Sequence, residues 1–338
     1  AFAEDIQAVC PDAWFINFSN PMHRICYLIH KYSKIKVVGL CHQLAVGYAM
    51  VAKALSSEYG LSGADDFLSS HADPANDKPL AHMAAQGFEH FSIKAAGLNH
   101  FTWLLELHDR KTGEDLYPRF RKAWQELPEN FEPLTRRIFD AFGLFPIPGD
   151  EHLCEYLPWM SDPLEKPWQK FDLSLYDWKY FTDHRDVMWQ QLKRDILTGA
   201  PSAEYANTHS EGAIEIIEAI LTDSNFLWEA VNIPNNGLIE GLPGDAIVEV
   251  PAIINRSGIH GQPIGTMPRG ITALLQREVV TSQLCIDAVV KGDRTLALQS
   301  LLLDPNITDL DQAEDVLERI LYNSVHFLTQ FFVKEDTP

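Results

Sequence analysis

Three polar side chains able to bind a metal ion or a polar ligand follow short β-like segments of the chain. Asn20 follows the apolar run 14–18, Cys41 follows the run 35–40, and His100 follows a third β-like run. A cysteine thiolate and an imidazole are ligands for transition-metal ions, and two protein ligands leave coordination positions open for substrate oxygens. We therefore predict that Asn20, Cys41 and His100 converge on one site.

Each of these residues also has an ordinary structural explanation. A free cysteine is most often buried and inert, and one His among 13 is most often a hydrogen-bonded core or surface residue. The neighbours favour function, because His42 follows Cys41 and Asn99 precedes His100. Trp103, by contrast, is predicted to be a core residue rather than a platform for a sugar.

A second cluster of ionisable residues is suited to general acid/base chemistry. Asp150, His152, Glu155 and Tyr156 lie within about two helical turns. The same pattern is equally consistent with the start of a helix in which Asp150 is the N-cap. Further along the chain, Arg269 precedes a predicted helix and is a candidate to meet an anionic group.

The composition restricts the class of partner. Of the 338 residues, 46% are apolar, which is enough for a large core, and 27 basic against 47 acidic residues give a net charge of −20. This charge argues against nucleic acid or an anionic membrane as the main partner. Five cysteines without a C-x-x-C motif argue against a disulfide framework and predict a reducing, cytoplasmic location. The sequence contains no run of 18 or more apolar residues, so no membrane span is predicted.

The order of the predicted elements indicates an α/β fold. Residues 1–42 are predicted as helix, strand, helix and strand, and both strands are continuous apolar runs, as in a parallel sheet buried on both faces. This alternation predicts a partial Rossmann-like, doubly wound sheet, in which ligands bind beyond the carboxyl ends of the strands. We place the remainder of a dinucleotide-binding domain at 1–58, followed by an α+β domain for substrate, metal and oligomerisation at 59–338.

Several later segments carry their own predictions. Residues 58–88 are rich in Gly, Ser, Asp, Ala and Pro and are predicted to be an insertion or loop. Residues 89–108 are predicted to form two strands. One long helix is predicted over 270–302 and a last helix over 311–333.

The motifs taken together resemble glycoside hydrolase family 4. The resemblance depends on Asn-Pro after the first strand, Gly-Leu-Cys-His about 21 residues later, Gly-Leu-Asn-His-Phe-Thr-Trp, and Gly-Asp-Glu-His-Leu-Cys-Glu. Residues 236–251 fit the same family. Each motif alone is weak, but the combination is specific and covers nearly the whole chain. The resemblance implies a lactate/malate dehydrogenase-like fold, an NAD cofactor, and a divalent metal, usually Mn²⁺.

The resemblance also implies a reaction and a set of roles. NAD⁺ would oxidise C3 of the sugar, a base would remove the C2 proton, and the glycosidic oxygen would leave from C1, with the metal stabilising the enediolate. Cys41 and His100 would be the metal ligands, and Asp150 and Tyr156 are the candidates for the acid/base pair. The residues predicted to contact the sugar are Asn20, Asn99, His42 and Arg269, and those predicted to contact the cofactor are Asn20 and Asn17.

Two features of the sequence refine the resemblance. His42 follows Cys41 where phospho-sugar branches often have Asn or Asp, so the predicted substrate is an unphosphorylated α-hexoside or α-hexuronide. The motifs Asn-His-Phe-Thr-Trp and Gly-Asp-x-His favour the α-galacturonidase or α-glucuronidase side. No Gly-x-Gly precedes a helix in residues 1–42, so the first βα units are predicted to be absent. The chain would then be a fragment, inactive alone, or a degenerate member.

Two other functions remain open. A 2-hydroxy-acid dehydrogenase would share the fold, but no Asp-x-x-Arg with a suitably placed later His is present, and Cys41 would be unexplained. A non-catalytic sugar- or metal-binding protein is compatible with a missing nucleotide loop. The long apolar helix faces predicted over 270–302 make a homodimer or homotetramer the expected assembly.

Overall fold

The computed structural model describes residues 2–70, 77–162, 164–173, 178–199 and 211–332. Within these ranges, eight strands form one mixed sheet. The strands are β1 (Trp14–Asn17), β2 (Lys36–Gly39), β3 (Phe91–Leu98), β4 (Phe101–Asp109), β5 (Phe145–Pro146), β6 (Phe226–Pro234), β7 (Ile247–Asn255) and β8 (Gly258–Gly261).

Helices surround this sheet, and two short 3₁₀ helices lie at Pro167–Phe171 and Thr329–Phe331. The α-helices are α1 (Phe2–Val9), α2 (Met22–Tyr32), α3 (Gln43–Tyr59), α4 (Asp77–His90), α5 (Tyr117–Glu126), α6 (Pro133–Phe142), α7 (Gly149–Tyr156), α8 (Trp178–Thr198), α9 (Ala213–Thr222), α10 (Arg269–Lys291), α11 (Arg294–Leu303) and α12 (Leu310–Asn323). Among the helices assigned here, none combines the length and the apolar character that crossing a bilayer requires.

The sheet joins a parallel pair to a larger antiparallel part. Its strand order is β1-β2-β6-β7-β3-β4-β5, with β8 paired to β7. Strands β1 and β2 are parallel, as the crossover through α2 requires, and the pairings from β2–β6 onward are antiparallel. The predicted α/β class is confirmed, with the parallel unit at the start of the chain and the α+β part after it. Because β2 pairs with β6, one sheet crosses the predicted boundary at residue 58.

Buried side chains cover both faces of the sheet. Along β3, Phe91 and Ile93 belong to one buried cluster, while Ala96 and Leu98 belong to another. Alternate residues of a strand point to opposite faces, so these two clusters are the two layers of the core. Trp103 is fully buried in the second cluster, which confirms its prediction as a core residue.

The prediction of a loop over 58–88 was wrong for its second half. Helix α4 begins at Asp77, and its Met83 and Ala84 are buried in the same cluster as Tyr48 of α3. Packing against α3 stabilises this helix although its sequence has no clear apolar period, because tertiary contacts contribute more than propensity. Residues 71–76 of the predicted loop lie outside the described residues.

The predicted helix over 270–302 is two helices. Gly292 has φ +68°, and a Cβ at this position would lie 2.3 Å from the carbonyl oxygen of Gln330. A left-handed glycine ends α10, and Asp293 then accepts hydrogen bonds from the N–H groups of Thr295 and Leu296 to begin α11. The predicted last helix ends at Asn323, ten residues earlier than expected, and its residue 333 lies outside the described range.

Candidate functional site

Cys41 and His100 meet where two parts of the sheet come together. Cys41 follows β2, and His100 lies in the two-residue turn between β3 and β4. That hairpin closes tightly, since a Cβ on Gly97 would lie 2.5 Å from the carbonyl oxygen of Phe101. His100 adopts φ +64°, and its Nε2 lies 3.5 Å from Sγ of Cys41. The structure therefore brings together two potential ligands separated by 59 residues.

The protonation states of this pair follow from burial. Burial, followed by the charge of Glu249, raises the pKa of the Cys41 thiol to about 11. Burial, followed by the neighbouring His152, lowers the pKa of His100 to about 3. The pair is therefore a thiol beside a neutral imidazole at neutral pH. A divalent cation binds neutral imidazole and drives a nearby thiol to ionise, so this donor set fits such a metal.

The donor set is small. The described ranges contain no group of three or more His, Cys, Asp or Glu side chains that could together hold a metal ion. Two protein ligands leave several coordination positions for oxygens of a bound molecule, which is the arrangement of catalytic rather than structural metal sites. The assignment of Cys41 and His100 as metal ligands stays a prediction.

A buried carboxylate organises the strands around this pair. Glu249 of β7 is 2% exposed and accepts hydrogen bonds from Nδ2 of Asn99 at 3.2 Å, Oγ1 of Thr102 at 2.6 Å and Nδ2 of Asn232 at 3.0 Å. Three donors from the β3–β4 turn, β4 and β6 thus converge on one acceptor. This network fixes Asn99, and with it the turn that carries His100.

A cavity of about 500 Å³ lies beside these residues. Its wall contains Asn20 at the end of β1, Asn99 before His100, and Tyr156 at the end of α7. Cys41 is close enough to Tyr156 to contribute to the tyrosine's raised pKa. The volume lies within the range of small-molecule sites, and amide and hydroxyl groups are suited to binding sugar hydroxyls.

Helix α7 supplies two aromatic contacts to the site. The His152 ring stacks on His100 at 4.3 Å between centroids, with an interplanar angle of 18°. The Tyr156 ring stacks on Phe101 at 5.0 Å. Burial, followed by the charge of Glu155, raises the pKa of Tyr156 above its usual value, so the phenol is protonated at neutral pH. Tyr156 can therefore donate a hydrogen bond into the cavity.

Asp150 is engaged elsewhere. Its carboxylate is fully buried and accepts hydrogen bonds from the backbone N–H groups of Leu134 at 2.8 Å and Thr135 at 2.6 Å. The suggestion that Asp150 is the N-cap of its own helix was wrong, because Pro148 occupies that position and Asp150 caps the neighbouring α6 instead. Both oxygens accept backbone hydrogen bonds, and the residue is absent from the cavity wall. Its acid/base role stays a prediction without support from this geometry.

Three other predicted contacts lie in different surroundings. The Asn17 amide bonds within its own turn, to the backbone of Ser19 and to Sδ of Met22. The exposed ring of His42 contacts Glu211 at 3.0 Å. Arg269 is exposed at the start of α10 and does not line the cavity. Their assigned roles toward sugar or cofactor stay predictions.

Sequence reasoning missed two residues of the site. Glu249 is a single carboxylate in the apolar run 247–254, and that isolation was a signal for a satisfied buried charge. Arg24, which lies in the cavity wall, carried no comparable signal, because one Arg in the first turn of an amphipathic helix is ordinary.

Two models of one protein family match this chain. Residues 1–57 match the family 4 glycosyl hydrolase model, and residues 95–307 match the family 4 glycosyl hydrolase C-terminal domain. The second match alone covers more than half of the chain. The chain belongs to glycosyl hydrolase family 4, which confirms the family predicted from its motifs.

Relatives of this chain are named for several different sugars. An α-glucosidase from Erwinia rhapontici is 30% identical over 89% of this chain and 64% of its own length. An α-galactosidase from Bacillus subtilis is 28% identical over 93% of this chain and 66% of its own. An α-galacturonidase from Thermoanaerobacterium saccharolyticum is 26% identical, with 98% and 70% covered. The chain thus spans about two thirds of the length of these relatives.

Solved structures show the same fold. A provisionally assigned glucosidase from Bacillus subtilis superposes with a TM-score of 0.77 at 26% identity, over 95% of this chain and 71% of that protein. A 6-phospho-α-glucosidase from gut microorganisms, solved in complex with NAD and Mn²⁺, has a TM-score of 0.69 at 21% identity, over 96% of this chain and 69% of that protein. The second likeness shows the fold alone.

Proposed function

We propose that the protein is an NAD- and divalent-metal-dependent glycosidase that cleaves unphosphorylated α-hexosides or α-hexuronides. The observation that carries the proposal is the Cys41–His100 pair, with Sγ and Nε2 3.5 Å apart beside a cavity lined by Asn20, Asn99 and Tyr156. Family membership and relatives that act on α-glucosides, α-galactosides and α-galacturonides support it.

The roles of the chain's own residues follow from their positions. Cys41 and His100 would hold the metal, and Asn20 and Asn99 would orient the sugar hydroxyls toward it. Tyr156 would exchange a proton with the sugar, and Phe101 fixes the plane of its ring. When bound, NAD supplies a hydride acceptor and the metal supplies a Lewis acid.

The cofactor site is proposed at the carboxyl end of β1. Asn17 and Asn20 flank the turn there, which is the edge at which nucleotides bind in open α/β sheets. The side-chain amide of Asn17 forms its hydrogen bonds within that turn. Asn20 lines the cavity and is therefore better placed than Asn17 to contact the cofactor. A cytoplasmic location and a homodimer or homotetramer belong to the same proposal.

Electron paramagnetic resonance of Mn²⁺ tests the core of this proposal. The protein is titrated with Mn²⁺ under reducing conditions, and methyl α-hexosides are then added. We expect Mn²⁺ to bind, the bound signal to change when sugar enters, and both effects to be lost in Cys41→Ser and His100→Ala, because each variant removes one of two protein ligands.

Exposed residues of the same types provide matched controls. Cys10→Ser and His260→Ala change surface positions and should bind Mn²⁺ like the unmodified protein. Equal Mn²⁺ binding in all five proteins would rule out the Cys41–His100 site. Metal binding without any response to sugars would instead favour a metal-binding protein that does not act on glycosides.

A further inference from the structure

One cation in the cavity wall has no partner. Arg24 lies in the first turn of α2 and lines the cavity, and its Nε–H is buried without an acceptor. Within the part of the chain that the structure describes, no carboxylate lies close enough to form an ion pair with it. A buried donor without an acceptor is energetically unfavourable. A bound molecule that supplies a hydrogen-bond acceptor to this guanidinium would remove that cost.

The carboxylates around the cavity are arranged differently. Glu278 is held by Arg277 at 2.7 Å, and Asp304 accepts a hydrogen bond from the N–H of Asn306 at 2.9 Å. Arg24 acts on Glu278 only as a more distant charge, which opposes the rise of the Glu278 pKa caused by burial, and it forms no ion pair with either group. The two acidic groups add negative charge to the wall and disfavour a ligand that carries more than one negative charge.

Among the described residues that line the cavity, Arg24 is the one cation without an ion-pair partner. Burial, followed by the charge of Arg24, lowers the pKa of His23 to about 4, so His23 is uncharged at neutral pH. Glu155 adds a third carboxylate to the wall. The N-terminus of α2, where Arg24 lies, adds positive potential at the same place. The cavity thus offers one localised positive site in acidic surroundings.

We propose that Arg24 determines specificity by binding the C6 carboxylate of an α-hexuronide, a step that rests on the proposed glycosidase function. A planar guanidinium pairs with a carboxylate through two parallel hydrogen bonds, and a single negative charge matches a single free cation. A 6-phosphate group carries a charge of about −1.5 to −2. This is more negative charge than the single Arg24 cation can balance beside three carboxylates. A neutral hexoside would leave Arg24 unpaired.

Binding of matched glycosides tests this assignment. Calorimetry in reducing buffer with Mn²⁺ compares methyl α-galactopyranosiduronate with methyl α-galactopyranoside, the corresponding gluco pair, and hexose 6-phosphates. We expect each hexuronide to bind at least about 10-fold more tightly than its neutral partner. Arg24→Gln should weaken the hexuronide by about 10- to 100-fold and the neutral glycoside by less than about 3-fold, and Arg24→Lys should lie between.

The controls separate this inference from the proposed function. Arg256→Gln removes one positive charge from an exposed turn and should change neither affinity, and circular dichroism verifies the folding of each variant. Equal affinity for both members of a pair, tightest binding of a 6-phosphate, or an unchanged hexuronide affinity in Arg24→Gln overturns the role of Arg24 while the glycosidase proposal stands. Binding of no sugar at all overturns both.

Discussion

Glu249 is the residue on which the geometry of the site depends most. It is an acceptor for Asn99, Thr102 and Asn232, which are themselves 2%, 1% and 1% exposed. Thr102 also donates to the carbonyl of Leu98 at 2.9 Å and Asn232 to that of Gly39 at 3.4 Å, but Glu249 is the charged acceptor that all three share. Such networks contribute more than the sum of their single bonds.

The variant Glu249→Ala should lower the free energy of unfolding by at least about 3 kcal/mol, because it removes three buried hydrogen bonds to a carboxylate, each of which contributes about 1.5–3 kcal/mol. Urea denaturation measures the change. Glu106→Ala is the matched control, since Glu106 on β4 pairs with Lys94 at 2.9 Å on the surface, and its loss should cost less than about 1 kcal/mol. Similar losses for the two variants would contradict the role given to Glu249.

At the scale of elements, two buried carboxylates connect α6 and α7. Asp150 of α7 caps α6, and Glu132 before α6 accepts a hydrogen bond from the N–H of Asp150 at 2.7 Å and from that of Ser70 at 2.6 Å. Burial raises the pKa of both groups, and repulsion from Glu132 contributes to the rise for Asp150, to about 7. Because α7 carries His152 and Tyr156, this junction positions the site.

The junction predicts a pH dependence of stability. Asp150 titrates near pH 4 in the unfolded chain and at about 7 when folded. Between these pH values the folded state therefore binds more protons than the unfolded chain. The stability that protonated Asp150 contributes is fully present below about pH 4 and is lost as the pH rises through 7. The free energy of unfolding should fall over that range by at most about 4 kcal/mol.

Urea denaturation at several pH values measures this dependence. Asp150→Asn should reduce the slope, whereas Asp140→Asn, an exposed position on α6, should keep it. The two variants make the same chemical change on neighbouring helices, at a buried position of α7 and at an exposed position of α6. An undiminished slope in Asp150→Asn would show that the buried pair does not carry the effect.

At the scale of the whole molecule, one sheet brings distant segments to a common edge. Cys41 comes from the parallel unit, and His100 comes from the antiparallel part. Strands β6 and β7 lie between β2 and β3 in the sheet, so the site depends on all four strands. A metal held by Cys41 and His100 would cross-link the two parts of the fold.

Metal binding should therefore stabilise the protein as a unit. At a free Mn²⁺ concentration about 100 times its dissociation constant, stabilisation of about 2.7 kcal/mol is expected, seen as a higher melting temperature. Chelation should reverse it. The melting temperature of Cys41→Ser should not respond to Mn²⁺, whereas that of Cys10→Ser should rise as in the unmodified protein. A rise in Cys41→Ser would place the metal elsewhere.

The sequence alone determined the local elements of the first 60 residues and the family. The apolar runs around 14–18 and 35–40, and the helix with Ile25 and Ile29 between them, are short-range patterns, and the structure has β1, α2 and β2 there. Short-range patterns failed where packing decides, as in α4, whose helix forms against α3, and at Gly292, whose close neighbour Gln330 is 38 residues away.

The residue types of the site could also be read from the sequence, but their arrangement could not. Cys41, His100, Asn20 and Tyr156 were named from motifs, and strand ends suggested that the first three would meet. Only the tertiary structure assigned Asp150 to the cap of α6, placed Arg24 unpaired in the cavity wall, and made Glu249 the common acceptor. These facts depend on burial and on partners distant in sequence, because the desolvation of a charge is set by everything packed around it and not by its neighbours along the chain.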